Sequence, residues 1–97
     1  ERMIVFEKPL LHALKRLPGR KILFTNGPAD YAHAVLELTG LRRHFASVYS
    51  VERLRFQPKP SPAGFRILLR QERLTPDRCV LVEDSLENLV TAKKLGM

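Results

Sequence analysis

Three groups of residues in this chain have types and spacing suited to chemistry: the adjacent acids Glu83-Asp84, a lysine held between prolines in Pro58-Lys59-Pro60, and a hydroxyl ahead of a turn in Thr25-Asn26-Gly27. Two carboxylates side by side repel, and partial burial makes keeping both charged more costly. A hard divalent cation relieves that repulsion, and Mg²⁺ characteristically takes one or two carboxylates together with water and substrate phosphate. The same pair also reads as a solvated strand end, with one acid favoured by a helix dipole. Prolines on both sides of Lys59 restrict its backbone and fix where the side chain starts, which helps a point charge meet a phosphate. A lysine in a proline-rich loop is, however, ordinarily just exposed. The Thr25 hydroxyl and the N–H groups of Asn26 and Gly27 could face an anion beside the next helix's amino end. Asn-Gly before Pro28 is equally a good turn.

What raises these readings is where the three groups fall. Thr25 follows the apolar run 21–24, which reads as a strand, and Glu83-Asp84 follow the β-branched run Cys79-Val80-Leu81-Val82, which reads as a strand buried on both faces. Lys59 lies in the loop after a weaker strand signal, Ala46-Ser47-Val48-Tyr49-Ser50. Each strand is followed by a helix pattern. Pro28 opens one helix, carrying Ala32, Val35, Leu36 and Leu38 and closing at Gly40. Ser61 as cap and Pro62 in the first turn open the next, with Phe65, Leu68 and Leu69 facing inward. Ser85 is placed to cap the last, whose apolar face is predicted as Leu86, Leu89, Val90 and Leu95. Ahead of all this, Pro9 opens a helix with Leu10, Leu11, Leu14 and Leu17 on one side, stopped by Pro18-Gly19. The run Met3-Ile4-Val5-Phe6 is too short to assign by pattern.

Alternating strands and helices predict an α/β fold: a Rossmann-like parallel sheet with flanking helices and right-handed crossovers. In open sheets of this kind ligands bind at the carboxyl ends of the strands, so Thr25, Lys59 and Asp84 are expected to converge at one edge.

Ninety-seven residues allow one small domain with one core. One cysteine, Cys79, excludes an internal disulfide and suits a reducing compartment; it reads as a small buried hydrophobe. With no signal-peptide pattern and no long apolar run, the expected setting is cytoplasmic, without membrane insertion. The formal charge is +7, which suits an anionic partner. The basic residues are scattered, with Arg42-Arg43-His44 the longest cluster, so specific nucleic-acid binding is not expected. His12, His33 and His44 lack metal-ligand spacing.

Phe24-Thr25-Asn26-Gly27, then Lys59-Pro60-x-Pro62, then Val82-Glu83-Asp84-Ser85-x-x-Asn88 with Ala92-x-x-x-Gly96-Met97 resemble the haloacid dehalogenase-like (HAD) hydrolase superfamily, and within it the phosphatase branch of pyrimidine 5′-nucleotidases, which also carry a pair like His33-Ala34. The likeness covers residues 20–97 as the carboxy-terminal part of a HAD-like core, with residues 1–19 resembling the end of a cap and the helix leading into that core. It implies a Mg²⁺-dependent phosphomonoester hydrolase working on a phosphorylated small molecule, a nucleotide being one candidate. By position, Thr25 would bind the transferring phosphoryl group and Lys59 would neutralise its charge; these two are the catalytic assignments. Asn26 and Gly27 would complete the phosphate loop, Asp84 with Glu83 would hold Mg²⁺, and Asn88 would be a structural partner of the acidic loop.

The family's nucleophile, the first Asp of an Asp-x-Asp motif, is the departure: this chain has only Asp30, Asp77 and Asp84. The core is therefore expected to be incomplete, its central strand supplied by a segment outside the sequence or by another segment in cis or in trans, and the 97-residue chain alone is expected to be inactive. Two alternatives remain. One is a 2-haloacid dehalogenase, which the charged pair Glu83-Asp84 argues against. The other is a non-catalytic α/β module that binds phosphate or a partner, which the missing nucleophile favours.

Overall fold

A computed structural model describes residues 3–6 and 11–97. Four strands, β1 (Met3–Phe6), β2 (Arg20–Phe24), β3 (Ser47–Tyr49) and β4 (Cys79–Val82), form one sheet in the order β3-β2-β1-β4. All three pairings are parallel. The helices are α1 (Leu11–Arg16), α2 (Ala29–Thr39), α3 (Pro62–Gln71) and α4 (Leu86–Leu95). Pro9 and Leu10, the predicted start of the first helix, lie outside the described residues.

The four residues too few to assign by pattern form the sheet's centre. β1 lies between β2 and β4, so the Thr25 and Asp84 strands do not pair with each other, and the gap expected between them is filled by residues of this chain. All four β1 residues are buried. A parallel strand covered on both faces needs apolar residues at every position, and Met-Ile-Val-Phe meets that requirement without the alternation that would mark a half-exposed strand.

Strand alternation divides the core in two. Met3, Val5, Ile22, Phe24, Tyr49 and Cys79 point to one face and pack with Phe65, Leu68 and Leu69 of α3 and Ala92 of α4. Ile4, Phe6, Leu23 and Val48 point to the other and pack with Leu14 of α1 and Ala32 and Leu36 of α2. Edge-on ring pairs fix both layers: Phe24 with Phe65 at 5.0 Å between centroids, and Phe6 with Phe45 at 6.0 Å.

The helix ends follow from the sequence at α2 and α3. Gly40 closes α2 in the left-handed conformation that costs other residues more. Pro62 opens α3, and the Ser61 hydroxyl accepts the Ala63 N–H at 3.4 Å. At α4 the outcome differs. Ser85 is the cap residue, but its side chain makes no capping bond; its own backbone N–H donates to the Glu83 carboxylate. The buried face of α4 also differs from the predicted one: Asn88 and Ala92 are buried with Leu95 packed on the core, while Leu86 is 75% exposed, Val90 42% and Leu89 37%. The helix turns Asn88 inward to meet Glu83, and Leu86 and Val90, at neighbouring angular positions, rotate outward with it.

Candidate active site

The carboxyl ends of β2 and β4 stand on either side of β1, and one side chain links them. Lys59 Nζ donates to the carbonyl of Phe24, the last residue of β2, at 2.8 Å, and to Glu83 Oε1, just past β4, at 3.0 Å. The Lys59 side chain is 0% exposed and that of Glu83 1%. Nζ also lies 4.6 Å from the Phe24 ring centroid, a cation–π contact that adds to the attraction. The proline-flanked lysine expected to fix a charge in place is therefore fixed, and buried rather than solvent-facing. Its position also brings the Thr25, Lys59 and Glu83-Asp84 loops together at one sheet edge.

Glu83 is held from every side. Oε1 accepts Lys59 Nζ and, at 2.9 Å, Asn88 Nδ2, while Oε2 accepts the N–H groups of Asp84 and Ser85 at 3.1 Å each. A buried carboxylate survives when its lone pairs are filled in this way. The two acids predicted to act as a metal couple are thus divided: Glu83 is committed to hydrogen bonds, and Asp84 is exposed at the end of β4. Mg²⁺ can be held by one carboxylate with water and phosphate, so the donor set fits an ion bound through Asp84. Among the described residues, no three His, Cys, Asp or Glu side chains cluster as a metal cage.

The loop after β2 is tied to the loop after β3. Thr25 N–H donates to the Tyr49 carbonyl at 2.9 Å, and Val51 N–H to the Gly27 carbonyl at 3.0 Å. The Glu52 carboxylate accepts Ala29 N–H at the start of α2 through both oxygens, at 2.9 and 3.1 Å, where a helix dipole favours negative charge. Thr25 Oγ1 accepts Gly27 N–H at 3.1 Å, which leaves its O–H proton to donate elsewhere. Asn26, predicted as a phosphate-loop residue, turns its side chain to Lys59. Its Oδ1 accepts Lys59 N–H at 2.8 Å and its Nδ2 donates to the Lys59 carbonyl at 3.1 Å.

Neither remaining aspartate stands where a nucleophile is needed. Asp30 lies in the first turn of α2 and accepts the N–H of Tyr31 at 2.9 Å, and Asp77 is in the turn entering β4, at the opposite end of that strand. Asn88, expected to support the acidic loop, does so. Glu52 was not picked out by pattern, since a single acid in an irregular loop carries no signal until the loop's path brings it to a helix end.

A parallel sheet sandwiched by helices, with a buried lysine, a hydroxyl and carboxylates at its carboxyl edge, defines a Rossmann-like α/β domain with a candidate ligand site at that edge. Comparison with known proteins makes the assignment specific: the chain belongs to the haloacid dehalogenase-like hydrolase family, which matches it over residues 6–96. It is 36% identical over 88 residues to a phosphoglycolate phosphatase of Rhodospirillum rubrum, covering 91% of this chain and 36% of that protein. It is 27% identical over 89 residues to a phosphoglycolate phosphatase of Vibrio vulnificus, covering 92% and 39%. Among solved structures, the L-2-haloacid dehalogenase of Xanthobacter autotrophicus superposes with a TM-score of 0.77 at 26% identity, covering 88% of this chain and 35% of that one. The chain thus spans well under half the length of these relatives. No helix among the described residues is long and apolar enough to cross a membrane.

Proposed function

We propose that the protein is a cytoplasmic, Mg²⁺-dependent phosphomonoester hydrolase acting on a small phosphorylated molecule. The observation that carries this reading is the Lys59 ammonium, buried and anchored at once to the end of β2 and to Glu83 beside β4. A cation held in that place is preorganised for charge that develops on phosphoryl oxygens, and preorganised donors cost no rearrangement as the reaction proceeds. The Thr25 hydroxyl, oriented by Gly27 N–H, supplies a donor to the same oxygens. Asp84 is the residue that would hold Mg²⁺, and the ion would neutralise phosphate charge there. Phosphoryl transfer asks mainly for such positioning and electrostatics. None of Asp30, Asp77 and Asp84 follows the central strand β1, so the group that takes the phosphoryl in this family's chemistry is not one of these three.

Two substrate classes have support. The phosphoglycolate phosphatases among the relatives favour a small phosphorylated acid, and the resemblance carried by Thr25-Asn26 with His33-Ala34 favours a pyrimidine 5′-nucleotide. The dehalogenase likeness supports a second reaction, chloride release from a 2-haloacid, which needs no metal.

Assay of the full-length protein separates them. Expected are Mg²⁺-dependent phosphate release from an aryl phosphate, with phosphoglycolate and uridine monophosphate in the same panel, and loss of that release in Asp84→Asn. Lys59→Ala is expected to lower turnover by roughly 10²–10³. Chloride release from 2-chloropropionate without metal, in the absence of phosphatase activity, overturns the proposal, as does a loss under about tenfold in Lys59→Ala.

A further inference from the structure

The Asn26 side chain reaches across 33 residues of sequence to meet the main chain of Lys59 on both its donor and its acceptor, at 2.8 and 3.1 Å. We infer that Asn26 is a positioning residue: its amide clips the Lys59 backbone to the Thr25 loop, so that the Thr25 hydroxyl and the Lys59 ammonium meet an oxyanion as one preformed unit. This rests on the phosphatase reading above.

The two-point contact matters because of what surrounds it. The base of the Thr25 loop is stitched to the chain leaving β3 by Thr25 N–H to Tyr49, Gly27 carbonyl to Val51, and Ala29 N–H to Glu52. All three contacts fall between residues 49 and 52. Between there and Lys59 the chain runs through a turn in which Arg55 and Phe56 both adopt positive φ, 54° and 56°. Asn26 closes the far end of that span. A primary amide presents one acceptor and a donor pair in a rigid plane, matching the N–H and C=O of a single residue. No aliphatic or hydroxyl side chain reproduces both contacts. The clip commits the Asn26 Oδ1 and one N–H of its Nδ2 to the Lys59 main chain, so Asn26 would act on substrate through Lys59.

That indirect action is what an experiment can read. In the full-length protein, binding of inorganic phosphate is measured by titration calorimetry for wild type, Asn26→Ala, Lys59→Ala and the double variant, with thermal unfolding as a folding check. Loss of the clip is expected to weaken binding by about tenfold, and loss of the ammonium by about a hundredfold. The double variant is expected to match Lys59→Ala, because a clip has nothing to position once the ammonium is gone. Amide exchange gives a second readout: the Lys59 N–H is expected to be protected in wild type and released in Asn26→Ala.

If the double variant instead shows the product of the two losses, Asn26 touches the anion by itself and the inference is overturned. Unchanged binding in Asn26→Ala overturns it too, as does an unprotected Lys59 N–H in wild type. Failure of the underlying functional reading is visible separately, as a Lys59→Ala protein that binds phosphate as well as wild type, or a wild type that binds none.

Discussion

Replacing Glu83 by Gln perturbs the site at its most constrained point while keeping nearly the same shape. In wild type, one oxygen faces two donors, Lys59 Nζ at 3.0 Å and Asn88 Nδ2 at 2.9 Å, and the other faces two N–H groups at 3.1 Å. A glutamine has one oxygen and one NH₂, so whichever way it turns, its NH₂ confronts a pair of donors. The charge interaction goes as well. Two unit charges 3.0 Å apart attract by about 5–6 kcal/mol at an effective dielectric constant of ~20, against which stands the desolvation of both ions. The quantity that matters is what is left behind: a lysine with a fully buried side chain that has lost its carboxylate. Breaking a buried pair from one side costs about 3–5 kcal/mol. Urea unfolding of the full-length protein, read by a signal from this domain, is expected to show a loss of that size. Lys59→Met combined with Glu83→Gln removes the buried ammonium along with the carboxylate and is expected to recover at least about half of the loss. A single-variant loss below about 1 kcal/mol, or a double variant no more stable than Glu83→Gln, would refute the claim that the pair is buried and mutually dependent.

Gly64 of α3 lies so close to the carbonyl of Gln57 that an added Cβ has no room. Gly64→Ala is therefore expected to push away the segment leading to Lys59, losing about 1–3 kcal/mol of stability and lowering turnover together with Lys59→Ala-like weakening of phosphate binding; an Ala variant with wild-type stability and binding would contradict this. Burial, with the Glu72 carboxylate 2.6 Å away, raises the Tyr49 phenol above its ordinary value of about 10. Because the folded protein holds that proton more tightly than the unfolded chain does, the stabilisation is fully present below pH ~10 and declines as pH rises above it. Tyr49→Phe is expected to cost about 1–3 kcal/mol at neutral pH and to flatten the alkaline decline, both measurable by unfolding between pH 7 and 11.

The parts of the molecule readable in the sequence are those set by local rules. The strand 79–82, the Pro62 helix start with its Ser61 cap, and the Gly40 stop each depend on residues within one or two turns of each other, and the fold class follows from their alternation. The pattern of that strand predicts burial on both faces, but it lies at the end of the described sheet, so only Cys79 is buried and 80–82 are half-buried. Thr25, Lys59 and Asp84 could be placed at one edge because a parallel sheet puts every strand's carboxyl end on the same side. Three features lay beyond such rules. Met3–Phe6 has too few residues to show a period, and only pairing with β2 and β4 makes it a strand. The buried face of α4 carries Asn88, bonded to Glu83, together with Ala92 and Leu95, and leaves Leu86 and Val90 exposed, an outcome set by contacts with the rest of the fold. Adjacency of Glu83 and Asp84 in sequence suggested a shared role, yet neighbouring residues leaving a strand need not point the same way. The ammonium arriving from 24 residues away draws Glu83 into the interior and leaves Asp84 at the exposed edge. Sequence determines which charges are present; only tertiary packing decides which of them are brought close enough to pair.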